Sequence, residues 1–215
     1  MSNNQNDISG YVWKNAACTE AHDFLLPKVI ETLKFSNATR LFDLGCGNGS
    51  VAAKLTELGY DVTGVDPSKI GIEQALLRHP GLKLNLGSAY EDLAAVYNTF
   101  PAVISLEVVE HVYSPRHYAK TLFSLVEPGG IAIVSTPYHG YFKNLALSLT
   151  GKMDAHFTAL WDHGHIKFWS VKTLGVLLQE AGFVDITYHR VGRIPVLAKS
   201  MIAVARKPKL APSVG

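Results

Sequence analysis

A single doubly wound α/β domain with a mostly parallel sheet is the fold class that this sequence predicts. Three observations predict it. Short apolar runs that read as strands alternate with segments of helical periodicity from residue 20 to residue 136. A glycine-rich loop, Gly45-Cys46-Gly47-Asn48-Gly49, stands between the first strand and the next helix. The chain has 215 residues, of which 47% are hydrophobic, which suits one core, since single cores stop growing near roughly 250–300 residues.

The elements follow in order. Phe24, Leu25, Val29, Ile30 and Leu33 recur at helical spacing and predict a helix over 20–35. Arg40 to Leu44 reads as a short buried strand, and Val51 to Leu58 as a helix closed by Gly59. Asp61 to Val65 is the second strand. Pro67 opens a helix that runs from Ser68 to Arg78 and stops at His79-Pro80-Gly81. Leu82 to Leu86 and Ala102 to Leu106 are the third and fourth strands. Ser114-Pro115 is an N-cap with proline at the first helical position, and the helix reaches about Val126. Glu127-Pro128-Gly129-Gly130 reads as a turn, and Ile131 to Ser135 as the fifth strand. Strands separated by helices imply βαβ units.

The rhythm then breaks. Pro137 to Trp169 is irregular and holds seven aromatic residues and four histidines; long insertions of this kind are usually functional. Ser170 caps a helix from Val171 to Ala181, and Phe183 to Val191 faces Ser200 to Ala205 as a hairpin. The expected organisation is a flexible N-terminal segment over 1–19 that contributes to the lid, a domain over 20–206 with a substrate-covering insertion at 137–169, and a disordered tail over 207–215.

Composition narrows the function classes. A net charge of +2 is too small to point to nucleic acid. The basic cluster Arg206, Lys207 and Lys209 stands where the domain passes into the expected tail. Cys18 and Cys46 do not make a disulfide framework. The first residues lack the basic region and apolar run of a secretory signal, and no apolar run approaches the roughly 20 residues that span a bilayer. A cytoplasmic, soluble monomer or homodimer is expected.

The glycine loop carries most of the functional signal. Its glycines allow a tight turn and close approach to a ligand, and the following helix offers unpaired N–H groups. Asp66 comes nineteen residues after Gly47, at the end of the second strand, where a carboxylate can accept from both ribose hydroxyls of an adenosine-type cofactor. Gly47 to Ala52 also matches the dinucleotide pattern G-x-G-x-x-A, so an NAD-dependent oxidoreductase stays open on the pattern alone. Asp43 and Glu107 weigh against it. Carboxylates at these strand ends oppose a pyrophosphate, whereas Asp43 suits the ammonium of a methionine moiety. The chain also leaves little for a separate substrate domain.

The segments LFDLGCGNGS, VTGVDPS, LEVVEHV and LVEPGGIAIVSTP, in this order, resemble the successive motifs of class I S-adenosylmethionine-dependent methyltransferases. The resemblance covers roughly residues 20–205. Glu107-Val108-Val109-Glu110-His111-Val112 and His165-Ile166-Lys167-Phe168-Trp169-Ser170 are similar to the ubiquinone-biosynthesis O-methyltransferases. The resemblance implies a seven-stranded sheet whose last strand is antiparallel and inserted before the sixth. It implies S-adenosylmethionine as cofactor, with S-adenosylhomocysteine as product. It places Asp43, Gly45, Cys46 and Gly47 at the methionine end, Asp66 on the ribose, and Pro67, Ser68, Ser88 and Ala89 at the adenine. Glu107 and Val108 stand beside the cofactor. Many relatives carry an acid where Ser88 stands.

A sulfonium methyl is already activated, so positioning is the main task. A phenolic acceptor, with a pKa near 10, gains from a base, and histidine suits that role. Of His111, His139, His156, His163 and His165, the expected catalytic groups are His163, His165 and His111. No metal is expected; Asp162, His163 and His165 form the alternative ligand set. Tyr138 to Leu149 reads as a helix over the site, or as an amphipathic patch that touches a membrane or a lipid-tailed small-molecule substrate. N- or C-methyl transfer and a catalytically silent binding domain are the further readings.

Overall fold

The computed structural model describes residues 20–161 and 164–209. Seven strands form one sheet in the order β3-β2-β1-β4-β5-β7-β6. They are β1 (Arg40–Leu44), β2 (Asp61–Asp66), β3 (Lys83–Leu86), β4 (Phe100–Leu106), β5 (Val126–Pro137), β6 (Val184–Val191) and β7 (Ser200–Arg206). The strands from β3 to β5 run parallel, and β7 pairs antiparallel with both β5 and β6. The last strand is therefore inserted before the sixth, as the resemblance implies. Helices α1 (Glu20–Ser36), α2 (Ser50–Glu57), α3 (Lys69–Arg78), α4 (Leu93–Tyr97), α5 (Pro115–Leu125), α6 (Tyr141–Leu149), α7 (Met153–Phe157) and α8 (Val171–Glu180) complete the described elements.

The core forms two layers because successive strand side chains point to opposite faces. Leu41, Ile104, Ile133 and Ile202 pack with Leu25, Val29, Leu33 and Leu55 from α1 and α2. Their neighbours Phe42, Val103, Ala132 and Ala203 pack on the other face with Tyr118, Leu122, Leu174 and Leu178 from α5 and α8. Ser170 caps α8 in a reciprocal capping box with Thr173.

Three sequence expectations change. Glu127 to Gly130 is not a turn between elements but part of β5. A register shift between Phe100 and Ala102 absorbs the extra residues on β5, which is why glycine stands there. Lys207, expected in the tail, exchanges backbone hydrogen bonds with Gly129 and Gly130 and continues the β5–β7 ladder. The insertion contains α6 and α7, so it is partly regular. The expectations for residues 1–19, 162–163 and 210–215 lie outside the described residues. Among the described residues no helix is long and apolar enough to cross a membrane.

The strand order reverses between β1 and β4. In open α/β sheets the crevice at the carboxyl ends of the strands, at this reversal, is the ligand site.

Candidate functional site

At the carboxyl end of β1 the chain turns sharply. Gly45 and Cys46 donate their N–H groups to the Val65 carbonyl on β2, at 2.8 and 3.0 Å. Gly45 adopts φ +88°, and a Cβ there would lie 2.5 Å from Val108 Cγ2. Glycine is thus required twice over, by conformation and by the close approach of the β4 exit.

Asp66 closes the same loop. Its Oδ2 accepts from Gly47 N and its Oδ1 from Ser68 N, both at 2.8 Å. The carboxylate ties the glycine loop to the start of α3. Ser68 is fully buried and its hydroxyl accepts from Gly71 N at 3.0 Å, capping α3. Pro67 beside it is half-buried. Ser88 and Ala89 follow β3, and Glu91 Oε1 accepts from Ser88 N at 3.1 Å. A carboxylate therefore stands near this corner although position 88 lacks one. Cys46 is a buried free thiol, pushed well above its usual range by burial and by Asp43 and Asp66.

Asp43 is the outstanding group on this side. It is 2% exposed, and its Oδ2 has no hydrogen-bond partner. Burial, then the Asp66 charge, pushes its carboxyl up to about 7. An acceptor-only group left in this state calls for a cation, and an ammonium fits it.

A second acidic group lies at the exit of β4. Glu107 takes φ +54°, a conformation uncommon outside glycine. Its N–H donates to Ser135 O, its Oε1 accepts from Ser135 Oγ at 2.7 Å, and its Oε2 accepts from Ser200 Oγ at 3.2 Å. Burial raises its carboxyl to about 7, while the two serines and the Lys143 charge act downward. The serines turn this carboxylate toward β5 and β7.

Glu110 is 1% exposed, and neither carboxylate oxygen has a partner of good geometry, although the adjacent Thr136 hydroxyl acts to lower its pKa. Burial, then the Glu107 charge, drives its carboxyl well above the carboxylate range. His111 and His165 join it, each with one ligand atom within 4.8 Å of the other two. His165 Nε2 lies 4.0 Å from Glu110 Oε1. His111 Nδ1 lies 3.2 Å from the Gly164 carbonyl, which can only accept, so Nδ1 carries the proton. In the neutral ring this leaves the Nε2 lone pair outward, the arrangement found in metal-ligating histidines. Burial, then His111 and His156, pulls the His165 ring down to about 4.

The two segments meet because Ile166 N and Lys167 N both donate to the Glu110 carbonyl at 3.0 Å, and Trp169 Nε1 to the Val109 carbonyl at 3.1 Å. The structure thus brings together the expected His111 and His165 and adds Glu110, which sequence reasoning left out. The available signal was its spacing from Glu107 next to His111. His163 and Asp162 lie outside the described residues. Among the described residues Glu110, His111 and His165 form a metal-type cluster, although no metal was expected; the alternative set with Asp162 and His163 lies partly outside the described residues.

Comparison with known proteins follows the same lines. A family model described as "Methyltransferase domain" matches residues 13–188. A ubiquinone biosynthesis O-methyltransferase of Cereibacter sphaeroides is 33% identical over 150 residues, covering 66% of this chain and 59% of that protein. One from a Caulobacter species is 36% identical over 126 residues, covering 57% and 48%. The chain thus spans about half to three fifths of the length of these two relatives. A further Cereibacter sphaeroides protein of that name is 31% identical over 179 residues, covering 80% and 68%. Among solved structures, the methyltransferase domain of bacterial CtHen1 superposes with TM-score 0.65 at 23% identity, covering 85% of this chain and 96% of that one. Phosphoethanolamine N-methyltransferase 2 of Haemonchus contortus, solved with S-adenosyl-L-methionine, gives 0.61 at 16% identity, covering 85% and 53%. Both share the fold.

The raised carboxyl of Asp43 has a stability consequence. The native state keeps its proton between the ordinary value of 3.8 and about 7, where the unfolded chain has lost it. Stability therefore falls as pH rises through that window, and below it the group has no effect. Asp43→Asn is expected to melt above the wild type at pH 8 without ligand, with the gain gone at pH 4. Thermal melts at both values check this; no gain at pH 8 contradicts it.

Proposed function

This chain belongs to the methyltransferase-domain family, and from that premise we propose that it moves the methyl group of S-adenosylmethionine to an oxygen of a small-molecule acceptor. The dinucleotide reading of the glycine loop falls with this membership. The observation that carries the choice of oxygen is the Glu110–His111–His165 cluster at the mouth of β4.

On the cofactor side, Asp43 would take the ammonium of the methionine moiety, which supplies the cation that its unpartnered Oδ2 lacks. Gly45, Cys46 and Gly47 would line the same end. Asp66, at the end of β2, would take the ribose hydroxyls, and Pro67, Ser68, Ser88 and Ala89 would flank the adenine. Val108 and Glu107 would stand between cofactor and acceptor. The bound cofactor supplies an activated methyl on a sulfonium. The protein's part is to hold the acceptor oxygen in line with it, and good alignment is worth up to about 7–11 kcal/mol.

On the acceptor side, Glu110, His111 and His165 fit a divalent cation, with Glu107 next to them. Such an ion would supply Lewis acidity and lower the pKa of an acceptor hydroxyl. A ring pulled down to about 4 is a weak proton acceptor but an available nitrogen ligand. His165 is therefore assigned as ligand, and His111, with its Nδ1 proton fixed by Gly164, likewise. The relatives' name and the apolar cover of the site favour a phenol or quinone-precursor acceptor.

That cover has an apolar face. In α6, Tyr141 is 76% exposed, Phe142 64% and Leu149 79%. Lys152, exposed, accompanies them, which suits a lipid-tailed acceptor or an anionic membrane surface, whereas Lys143 turns inward to the Tyr138 carbonyl. Co-sedimentation with vesicles containing anionic lipid is expected to retain the protein, and Phe142→Glu to release it; equal recovery without vesicles contradicts the contact.

Two further tests address the chemistry. Asp66→Asn is expected to weaken S-adenosylhomocysteine binding by about 1–3 kcal/mol, through a lost charge-assisted hydrogen bond. Calorimetry with S-adenosylhomocysteine and with NADH checks it, and tight binding of NADH alone contradicts methyl transfer. With a panel of phenols and catechols, chelation should abolish turnover and a divalent cation restore it. Glu110→Gln should lower kcat/KM by about 100-fold or more. Turnover that survives both treatments removes the metal-assisted reading.

A further inference from the structure

α6 follows β5 at the carboxyl ends of the parallel strands, and none of its residues is fully buried. Apolar packing therefore does little to hold it. Its neighbours are α7 and the short 3-10 turn Pro195–Leu197. Lys143 stands in its first turn, where the helix dipole opposes a cation. That turn carries no acid, and Gly140 provides no side-chain cap. A reason for lysine at this position has to come from outside the helix.

The reason is visible in its contacts. Lys143 Nζ donates to the Tyr138 carbonyl at 2.8 Å and to the Lys199 carbonyl at 3.4 Å. These carbonyls belong to the residue after β5 and the residue before β7. They are already neighbours, since Tyr138 N donates to Lys199 O at 3.0 Å. These side-chain hydrogen bonds tie α6 to the junction of β5 and β7. Ser200, next in the chain to Lys199, donates to Glu107 Oε2 at 3.2 Å. The ammonium is half-buried, its carbonyl partners carry no net charge, and Glu107 is the carboxylate that stabilises its charge, against Arg193.

We propose that Lys143 is a positioning residue that fastens the α6 cover to the β5–β7 junction and, through Ser200 at that junction, sets the Glu107 carboxylate at the reacting end of the site. The consequence for catalysis rests on the methyl-transfer reading; the fastening itself does not. Loss of the ammonium frees the cover and lets Ser200 drift from Glu107. Arginine, with a longer reach and the same charge, restores most of the contact.

The test compares Lys143→Met and Lys143→Arg. Amide hydrogen exchange over 141–149, without ligand, should speed up about tenfold in Lys143→Met and stay near wild type in Lys143→Arg, as expected for loss of a charged hydrogen bond. Melting midpoints of both should stay near wild type, because no fully buried residue is touched. With the best acceptor of the phenol and catechol panel, Lys143→Met should raise the acceptor KM about tenfold, leave S-adenosylhomocysteine affinity within about twofold, and be rescued by Lys143→Arg. Unchanged exchange in Lys143→Met, or equal exchange in the two variants, overturns the proposal. Absence of turnover in the wild type overturns the methyl-transfer reading, while the exchange measurement still decides the fastening.

Discussion

The carboxylate of Asp66 organises the cofactor side of this molecule. It sits where β2 ends, and it accepts from the backbone of Gly47 on one side and Ser68 on the other. Both N–H groups belong to turns that leave parallel strands, so one side chain sets the path of two loops. The glycine loop can hold its left-handed residues only because this anchor, together with the Val65 carbonyl, satisfies its donors. Asp43 is buried by the same arrangement. Without Asp66 the loop would have no fixed shape for a nucleoside to meet.

The acceptor side depends on a different kind of contact. The Glu110 carbonyl receives two N–H groups from a segment more than fifty residues later in the chain. This clamp turns His165 toward Glu110, and Gly164 supplies the carbonyl that sets the His111 tautomer. Backbone bonds place the side chains, so a variant in the 164–169 segment can disturb the cluster without touching a ligand atom. Ser135 and Ser200 perform the same service for Glu107 from β5 and β7.

The sequence made most of this fold legible, because buried parallel strands read as apolar runs and Ser114-Pro115 and Ser170 announce their helices. The glycine loop, Asp43 and Asp66 were legible too, since turn chemistry and strand ends are local properties. The extension of β5 through Glu127 to Gly130 was not. A Pro-Gly-Gly run reads as a turn until a neighbouring strand shifts register to accommodate it. Nor was α4, whose five residues are too few for a periodic signal. Glu110 was missed because its burial and its meeting with His165 are tertiary facts. His139 and His156 could be named from the sequence but not ranked; the structure pairs them with Phe157 and Phe168 in an aromatic cluster below the cover.

Three carboxyls, Asp43, Glu107 and Glu110, are buried with their pKa values raised, and each lowers the stability of the bare fold near neutral pH. Asp43 Oδ2 has no hydrogen-bond partner, and the His165 ring 4.0 Å from Glu110 is pulled down toward the neutral form, so neither carboxyl has an ion pair that offsets its desolvation. Polar groups that exist only to build a core are satisfied. Two separate groups of buried acceptors, one at the end of β1 and one beyond β4, underlie the two-site reading proposed above. A sulfonium cofactor with an ammonium group answers the first. In that reading His165, whose ring burial pulls down, adds a nitrogen donor beside the Glu110 carboxyl without adding positive charge. The gap between the two sets is bridged by Glu107 and Val108, and an acceptor oxygen held there would face both.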